Sequence, residues 1–491
     1  MAKNRDFMLS RRRLFQGAAA LAAGALLAER SAESGEKRPT FLIVLGAAGG
    51  ASIIDSFLAI RASECATPAT INCFPDAEVQ DIAGSPLRAV DLARDSIGAI
   101  PIGFTANQSS FVKKHKDQML VATVTGTSVN HAVAQERSRT GNNAWKGRTL
   151  EECVAAEHGS ALALPNVNMA TGGFSARGID DTLPLHARAA PVAAPALWPF
   201  GLDGSRGIAG APGPDLVDAA RGLRDTVLEP GSSFYQAFQT SEALELWKKQ
   251  RYDARQKLEG AGLIERLNLL GETPVTPLSA YGLTPSPDAA LLGSTFPALL
   301  TDELEAQAAL AYLLLKQRVS TAVTIAPSFS VLLDQGTVKN PPLAFDFSHN
   351  AHRAAQAVMW SRVLGVADKL IGLLKGAELS PGSGESLWDR TLIYVATDFG
   401  RTKQRVAGAD DFGSGHDLNN GILVVSPLVR GNTVLGGVDR NTGLTYGWNP
   451  VTGAPDPARQ ATEGEVFAGL LDAMDIDVKG SGLPTVTAFA K

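Results

Sequence analysis

Residues 391–417 read TLIYVATDFGRTKQRVAGADDFGSGHD, and this stretch decides the fold. The apolar run Leu392–Ala396 is short and continuous, as in a strand buried on both faces. Asp398 therefore stands at the carboxyl end of a strand, the edge where open α/β sheets collect ligands. A loop rich in Gly and Asp leads on to His416, and the apolar run Ile422–Val425 predicts the next strand. A carboxylate and an imidazole are thus offered from neighbouring strand ends. Asp oxygen and His nitrogen together suit hard or borderline divalent cations. Each residue alone has an ordinary reading as well. An Asp at a strand end caps or turns the chain, and a lone His is commonly a satisfied polar group.

A second pair lies in FDFSHNAH, residues 345–352. Asp346 and His349 sit three apart in a turn, just before a helical pattern over 351–375, and can converge on the same ion. Asp346, His349, Asp398 and His416 are accordingly the candidate metal ligands, for zinc, magnesium or calcium.

The chain has 491 residues, with 45% hydrophobic and 19% charged. That is ordinary globular composition, ample for a large core. A formal net charge of −5, 6% aromatics and no basic stripe give no footprint for nucleic acid.

The first 32 residues read as a targeting segment. Residues 10–16, SRRRLFQ, resemble the twin-arginine export motif, and an Ala-rich apolar stretch follows over 18–28. It is too short to span a membrane. Cleavage is expected after Ala28 or Ala32, and no Cys follows that would anchor a lipid. The other reading is a basic tail ahead of an ordinary core helix. Export implies the twin-arginine machinery as a partner, a periplasmic or secreted location, and no stable membrane span after processing. In an oxidising compartment Cys65 and Cys73, which bracket a short loop, are able to pair, leaving Cys153 over. Three buried free thiols are the alternative.

Strand-like runs at 41–45, 119–124, 322–326 and 391–396 alternate with helical patterns at 131–139, 241–270, 302–318, 351–375 and 463–474. Alternation of this kind predicts one large α/β domain over residues 40–485 with an insertion near 175–290. Residues 175–235 are rich in Pro, Gly and Ala and read as loops. Gly46–Gly50 forms a Gly-rich turn after the first strand. Such turns cradle phosphates or simply allow close packing.

Taken in order, these motifs resemble an exported bacterial family of unknown function in the alkaline phosphatase and sulfatase superfamily. The Phe-Gly-Arg-Thr block, here within Thr397–Thr402, is the most specific element. Gly413–Asp417, Asp346–His349, Asn130–His131 ahead of Thr140–Gly141, and Gly49–Ser52 correspond to weaker ones. The resemblance implies a mixed, mostly parallel sheet with helices on both faces. It also implies a metal-dependent hydrolase of phosphate or sulfate esters, small or polymeric, or a non-catalytic relative on the same fold. It places His131, Asn130 and Arg401 in the catalytic region, with Thr127 and Ser128 as alternative nucleophiles. Two departures stand out. Ser52 replaces the first-strand acid, for which Asp55 is a substitute three residues on, and His131 stands where a hydroxyl is expected. As the first residue of a helix, His131 is expected to have a depressed pKa. Arg139 and Arg401 are each able to pair with an anionic group, and a structural ion pair is the favoured reading for Arg139.

Overall fold

The computed structural model of the protein describes residues 38–92, 94–98, 100–101, 106–202, 210–259, 261–274, 277–327 and 344–491. The expected export signal, residues 1–32, lies outside them. Eight strands form the main sheet: β1 (Phe41–Ala47), β2 (Met119–Thr125), β3 (Asn166–Asn168), β4 (Ala190–Pro191), β5 (Ala322–Ile325), β6 (Thr391–Thr397), β7 (Asn419–Val425) and β8 (Thr433–Leu435). Their order across the sheet is β8-β2-β7-β6-β1-β5-β3-β4. β7 runs antiparallel to both neighbours, β6 and β2, and every other pairing is parallel. The architecture is a mixed α/β sheet.

β1 and β6 are buried along their whole length, which explains why both read as continuous apolar runs rather than alternating ones. Five helices matter for the site: α1 (His131–Thr140), α2 (Leu150–His158), α3 (Glu303–Lys316), α4 (His352–Lys375) and α5 (Glu463–Ala473). Successive side chains of a strand point to opposite faces, and the two faces of β1 have different neighbours. Phe41, Ile43 and Leu45 join the core with Leu310 and Leu314 of α3 and Val363 and Leu370 of α4. Leu42 and Val44 join the core with Leu150 and Val154 of α2 and Phe467 and Leu470 of α5.

The helix ends follow local chemistry. Thr149 and Thr462 each open a helix with a reciprocal capping box, to Glu152 and Glu465. Asp302 caps α3 by accepting from the Leu304 and Glu305 amides. Gly141, at φ 60°, ends α1 in the left-handed region, which glycine adopts without strain. Within 175–235 the structure departs from an all-loop reading, with helices at Pro214–Leu223 and Ser233–Phe238. Pro214 at the first turn and Ser232 as a cap start them. The helical pattern over 241–270 is split into Glu242–Glu259 and Leu263–Leu267, with Gly262 at φ 59° before the second piece. Cys65, Cys73 and Cys153 are buried free thiols. No helix among the described residues is long and apolar enough to cross a membrane.

Candidate metal centre

The carboxyl ends of β1, β2 and β6 and the amino end of β7 lie along one edge of the sheet, because β7 alone runs the other way. That edge gathers segments distant in sequence. The β1–turn at 48–53 is held by side chains from three other elements. The Gly49 and Gly50 amides donate to the two oxygens of Asp398, at 3.0 and 2.6 Å. The next three amides, of Ala51, Ser52 and Ile53, donate to Thr397 Oγ1, Gln356 Oε1 and Asn420 Oδ1. The turn is therefore not a phosphate cradle, since its N–H groups are spent on the protein itself.

Gly49 and Gly50 have φ of 100° and 81°, where side chains are strained. A Cβ at Gly49 would sit 2.9 Å from Asp346 Cβ, and one at Gly50 would sit 2.6 Å from Arg401 Nε. The close approach of this turn to Asp346 and Arg401 thus depends on both glycines. The turn borders the candidate site as its position after the first strand suggests.

Four side chains converge at this edge. One ligand atom from each of His131, Asp346, His349 and His416 lies within 4.8 Å of the other three. His131 Nε2 is 3.2 Å and His349 Nε2 is 3.4 Å from Asp346 Oδ1. His349 Nε2 and His416 Nε2 face each other at 2.9 Å. Phe399, buried beneath them, stacks on the His416 ring at 4.1 Å between centroids and tilts against His131 at 4.6 Å.

Two of the three imidazoles are oriented from behind. His131 Nδ1 donates to Asp398 Oδ2 at 2.7 Å, and His416 Nδ1 donates to the Val129 carbonyl at 2.8 Å. The Ser414 main chain acts on His349 to raise its pKa, against the larger effect of burial. With Nδ1 as the donor, a neutral His131 or His416 would present its Nε2 lone pair to the group. A carboxylate or carbonyl behind a histidine is the arrangement found around bound metals. Asp398 thus stands one layer behind the group instead of within it. Its side chain has no exposed surface, and it also accepts from Gln135 Nε2 at 3.3 Å.

The electrostatics follow from these contacts. Burial alone would lower the His131 pKa, but hydrogen bonds and charge from Asp346 and Asp398 outweigh it and raise it to about 9. The depressed value expected from the helix position is reversed, because two carboxylates at contact outweigh a terminal dipole. In the ion-free protein His131 is an imidazolium, and it must lose that proton to act as a ligand. Asp346, which burial would raise, is held at about 2 by His131 and Arg401. His349 and His416 are both shifted downward, burial being the largest cause. The 2.9 Å separation of the two ring nitrogens fits one N–H···N hydrogen bond between the imidazoles, which a bound ion would replace. The donor set, three imidazole nitrogens and one carboxylate oxygen, fits a borderline transition ion such as zinc.

The remaining expected residues have other duties. Arg401 is fully buried. It donates to Asp346 Oδ1 at 2.9 Å, to the Gly49 carbonyl and to the Ser414 carbonyl. Asn130 is the N-cap of α1, accepting from the Val133 amide at 3.3 Å. Thr127 Oγ1 donates to Glu463 Oε2 at 2.6 Å, and Ser128 Oγ accepts from the Asn130 amide at 3.1 Å. Arg139 pairs with Glu151 at 2.7 Å, both wholly buried, and is structural. Ser52 is buried and outside the group. Asp55 is outside it too, bonded to His352 Nε2 at 3.0 Å and to Asn72.

Sequence reasoning missed the supports. Asp411 caps α4 from a distant loop, accepting from the Arg353 and Ala354 amides at 2.9 and 3.1 Å. Gln356, one turn into α4, ties Ser52, Gly50 and Ser348 together. Lys403, buried and pulled down to about 8 by that burial, donates to the Arg401 and Asn419 carbonyls. A short ladder pairs Arg401 with His416 and Gly400 with Asp417. The one available signal was the density of Asp, Gly and His over 408–417. In comparison with known proteins, the chain matches no family model and no curated sequence.

Proposed function

We propose that the protein is a metal-dependent hydrolase of phosphate or sulfate esters, built on an alkaline-phosphatase-like α/β fold and exported through the twin-arginine route. The observation that carries the catalytic part is the convergence of His131, Asp346, His349 and His416 within 4.8 Å of one another. All but His349 are half-buried, and its side chain is 43% exposed, so the group is reachable from solvent. An ion held there would supply Lewis acidity to an ester oxygen and stabilise developing negative charge.

The chain's own residues would do the rest. His131, His349 and His416 would present Nε2, with Asp398 fixing the His131 ring and the Val129 carbonyl fixing the His416 ring. Asp346 would supply the one carboxylate oxygen, locked by Arg401. Phe399 excludes water from beneath. Zinc is the proposed ion, because magnesium and calcium prefer all-oxygen shells.

A second reading is a non-catalytic metal-binding protein on the same fold. It is favoured by Arg401 and the 49–53 amides, which are spent on protein contacts, and by Thr127 and Ser128, whose hydroxyls are already engaged. The deciding experiment is elemental analysis of the purified protein, followed by hydrolysis assays with aryl phosphate and aryl sulfate. One equivalent of zinc with turnover that is lost on chelation and in His349→Ala supports the hydrolase. Zinc without turnover supports the second reading, and no bound ion refutes both.

A further inference from the structure

Beneath the metal-binding group lies a second polar cluster that shares no ligand with it. Asp55, Asn72, Ser414 and His352 are all at most 4% exposed. His352 Nε2 meets Asp55 Oδ2 at 3.0 Å, and His352 Nδ1 meets Ser414 Oγ at 2.9 Å. Asn72 Nδ2 donates to both oxygens of Asp55 at 3.1 Å. The Ser414 hydroxyl also reaches the Ser348 carbonyl at 3.2 Å. The cluster is an Asp–His–Ser array sealed from solvent, so it has no access to a substrate.

Its connections run upward. The Ser414 amide donates to the carbonyl of Ser348, the residue before His349, at 2.8 Å. Its carbonyl accepts from Arg401 Nη1 at 3.3 Å. Beside it, Gly413 packs so closely on the His349 carbonyl that a side chain there would run into it. Two residues on, His416 joins the group. Ser414 is thus where the segment carrying Asp346 and His349 is fastened to the segment carrying His416.

We propose that the Asp55–His352–Ser414 array is a positioning device for the metal centre, setting the spacing between His349 and His416. The inference rests on the metal-binding reading above. The physical reasoning is direct. His349 and His416 come from separate loops, and their ring nitrogens must be held a few tenths of an ångström from their working places. Two loops meeting only through exposed side chains would not hold that tolerance. A buried array anchored on Asp55, in the β1–turn region, and on His352, in the first turn of α4, ties both loops to the sheet. Asn72 Nδ2 lies 3.2 Å from His352 Nε2 as well, so it touches both members of the Asp55–His352 pair.

The test is zinc binding by the full chain stripped of metal, measured by competition with a chromophoric chelator. Ser414→Ala and Asp55→Asn are compared with the unaltered protein, and near-ultraviolet circular dichroism checks the fold. Removing a direct hydrogen-bond partner of a metal ligand costs about 10–100-fold in affinity; the Ser414 and Asp55 side chains act one contact further out, through His352 and the Ser348 carbonyl, so a loss at the lower end, about tenfold, is expected in both variants. Cobalt replaces zinc in a second readout, where the visible ligand-field band at saturating metal is expected to change in both variants. A purely structural role would lower thermal stability while leaving affinity and band unchanged, and that result overturns the proposal. Should Ser414→Ala not fold, Asp55→Asn, which keeps size and shape, carries the test alone. If the unaltered protein binds neither ion, the metal reading itself falls and this inference with it.

Discussion

Gly49 offers the sharpest single perturbation. Gly49→Ala places a methyl group where φ is 100° and where Asp346 Cβ is 2.9 Å away, with the Asp346 amide nitrogen closer still. The backbone conformation costs about 1–3 kcal/mol for a residue with a side chain. Overpacking against a buried backbone adds about 1–3 kcal/mol, so the total is about 4 kcal/mol. Unfolding entropy near 60 °C is about 2.1 cal/mol/K per residue, which over roughly 450 folded residues gives about 0.95 kcal/mol/K. The variant should therefore melt about 4 °C lower by differential scanning calorimetry. Relieving the approach to the Asp346 amide nitrogen to ordinary contact moves Asp346 by about 1 Å, beyond the roughly 0.2 Å that ligand distances tolerate. Zinc affinity by chelator competition should fall at least tenfold alongside. Gly365→Ala is the matched control: Gly365 lies exposed inside α4 with no atom within 4 Å of its would-be Cβ. It should stabilise by about 0.4–1 kcal/mol through the unfolded chain. Gly49→Ala with unchanged melting and unchanged zinc affinity would refute the claim that this turn sets the position of Asp346.

Other outcomes follow from the buried charges. Arg139→Leu should destabilise by about 3–5 kcal/mol, because Glu151 is left charged and buried with Thr324 Oγ1 as its remaining side-chain donor. In urea unfolding, Arg139→Leu with Glu151→Leu should cost clearly less than the sum of the single changes; strict additivity would contradict the pairing. Hydrogen bonds from Arg88 lead the effects that hold Glu64 at about 2, well below its ordinary 4.5. A depressed acid stabilises the fold above its unfolded pKa and loses that contribution as pH falls through the folded one. The stability advantage over Glu64→Gln should therefore be full above pH 4.5 and vanish towards pH 2 in melts across that window; an advantage independent of pH would argue against the Arg88 pair. His131→Ala should abolish tight zinc binding while Asn130→Ala, which removes only a helix cap, should cost about 1 kcal/mol of stability and leave zinc affinity intact. Equal zinc affinity in His131→Ala would exclude that residue from the ligand group.

The elements themselves were legible in the sequence. Leu392–Ala396 had to be a buried strand, since a continuous apolar run bounded by polar turns has no other economical home, and β6 covers it. The stop of α1 and the start of α5 were written in local chemistry, a left-handed Gly141 and a Thr462–Glu465 box. The ends carrying Asp398 and His416 were legible for the same reason, being read from runs of a few residues. Which atoms meet was not. Asp398 and His131 are both polar residues at element ends, and nothing local tells a ligand from its support. That difference arises because Asp398 faces inward, where the Gly49 and Gly50 amides and the His131 ring claim its oxygens, while His131 turns Nε2 outward to Asp346. The same holds for His352 and Asp411, whose partners lie 297 and 58 residues away. Periodicity and capping act over one or two turns of chain and are read along it. A ligand set is decided by which loops the single antiparallel strand β7 brings to one edge of the sheet, and only the tertiary structure makes that choice.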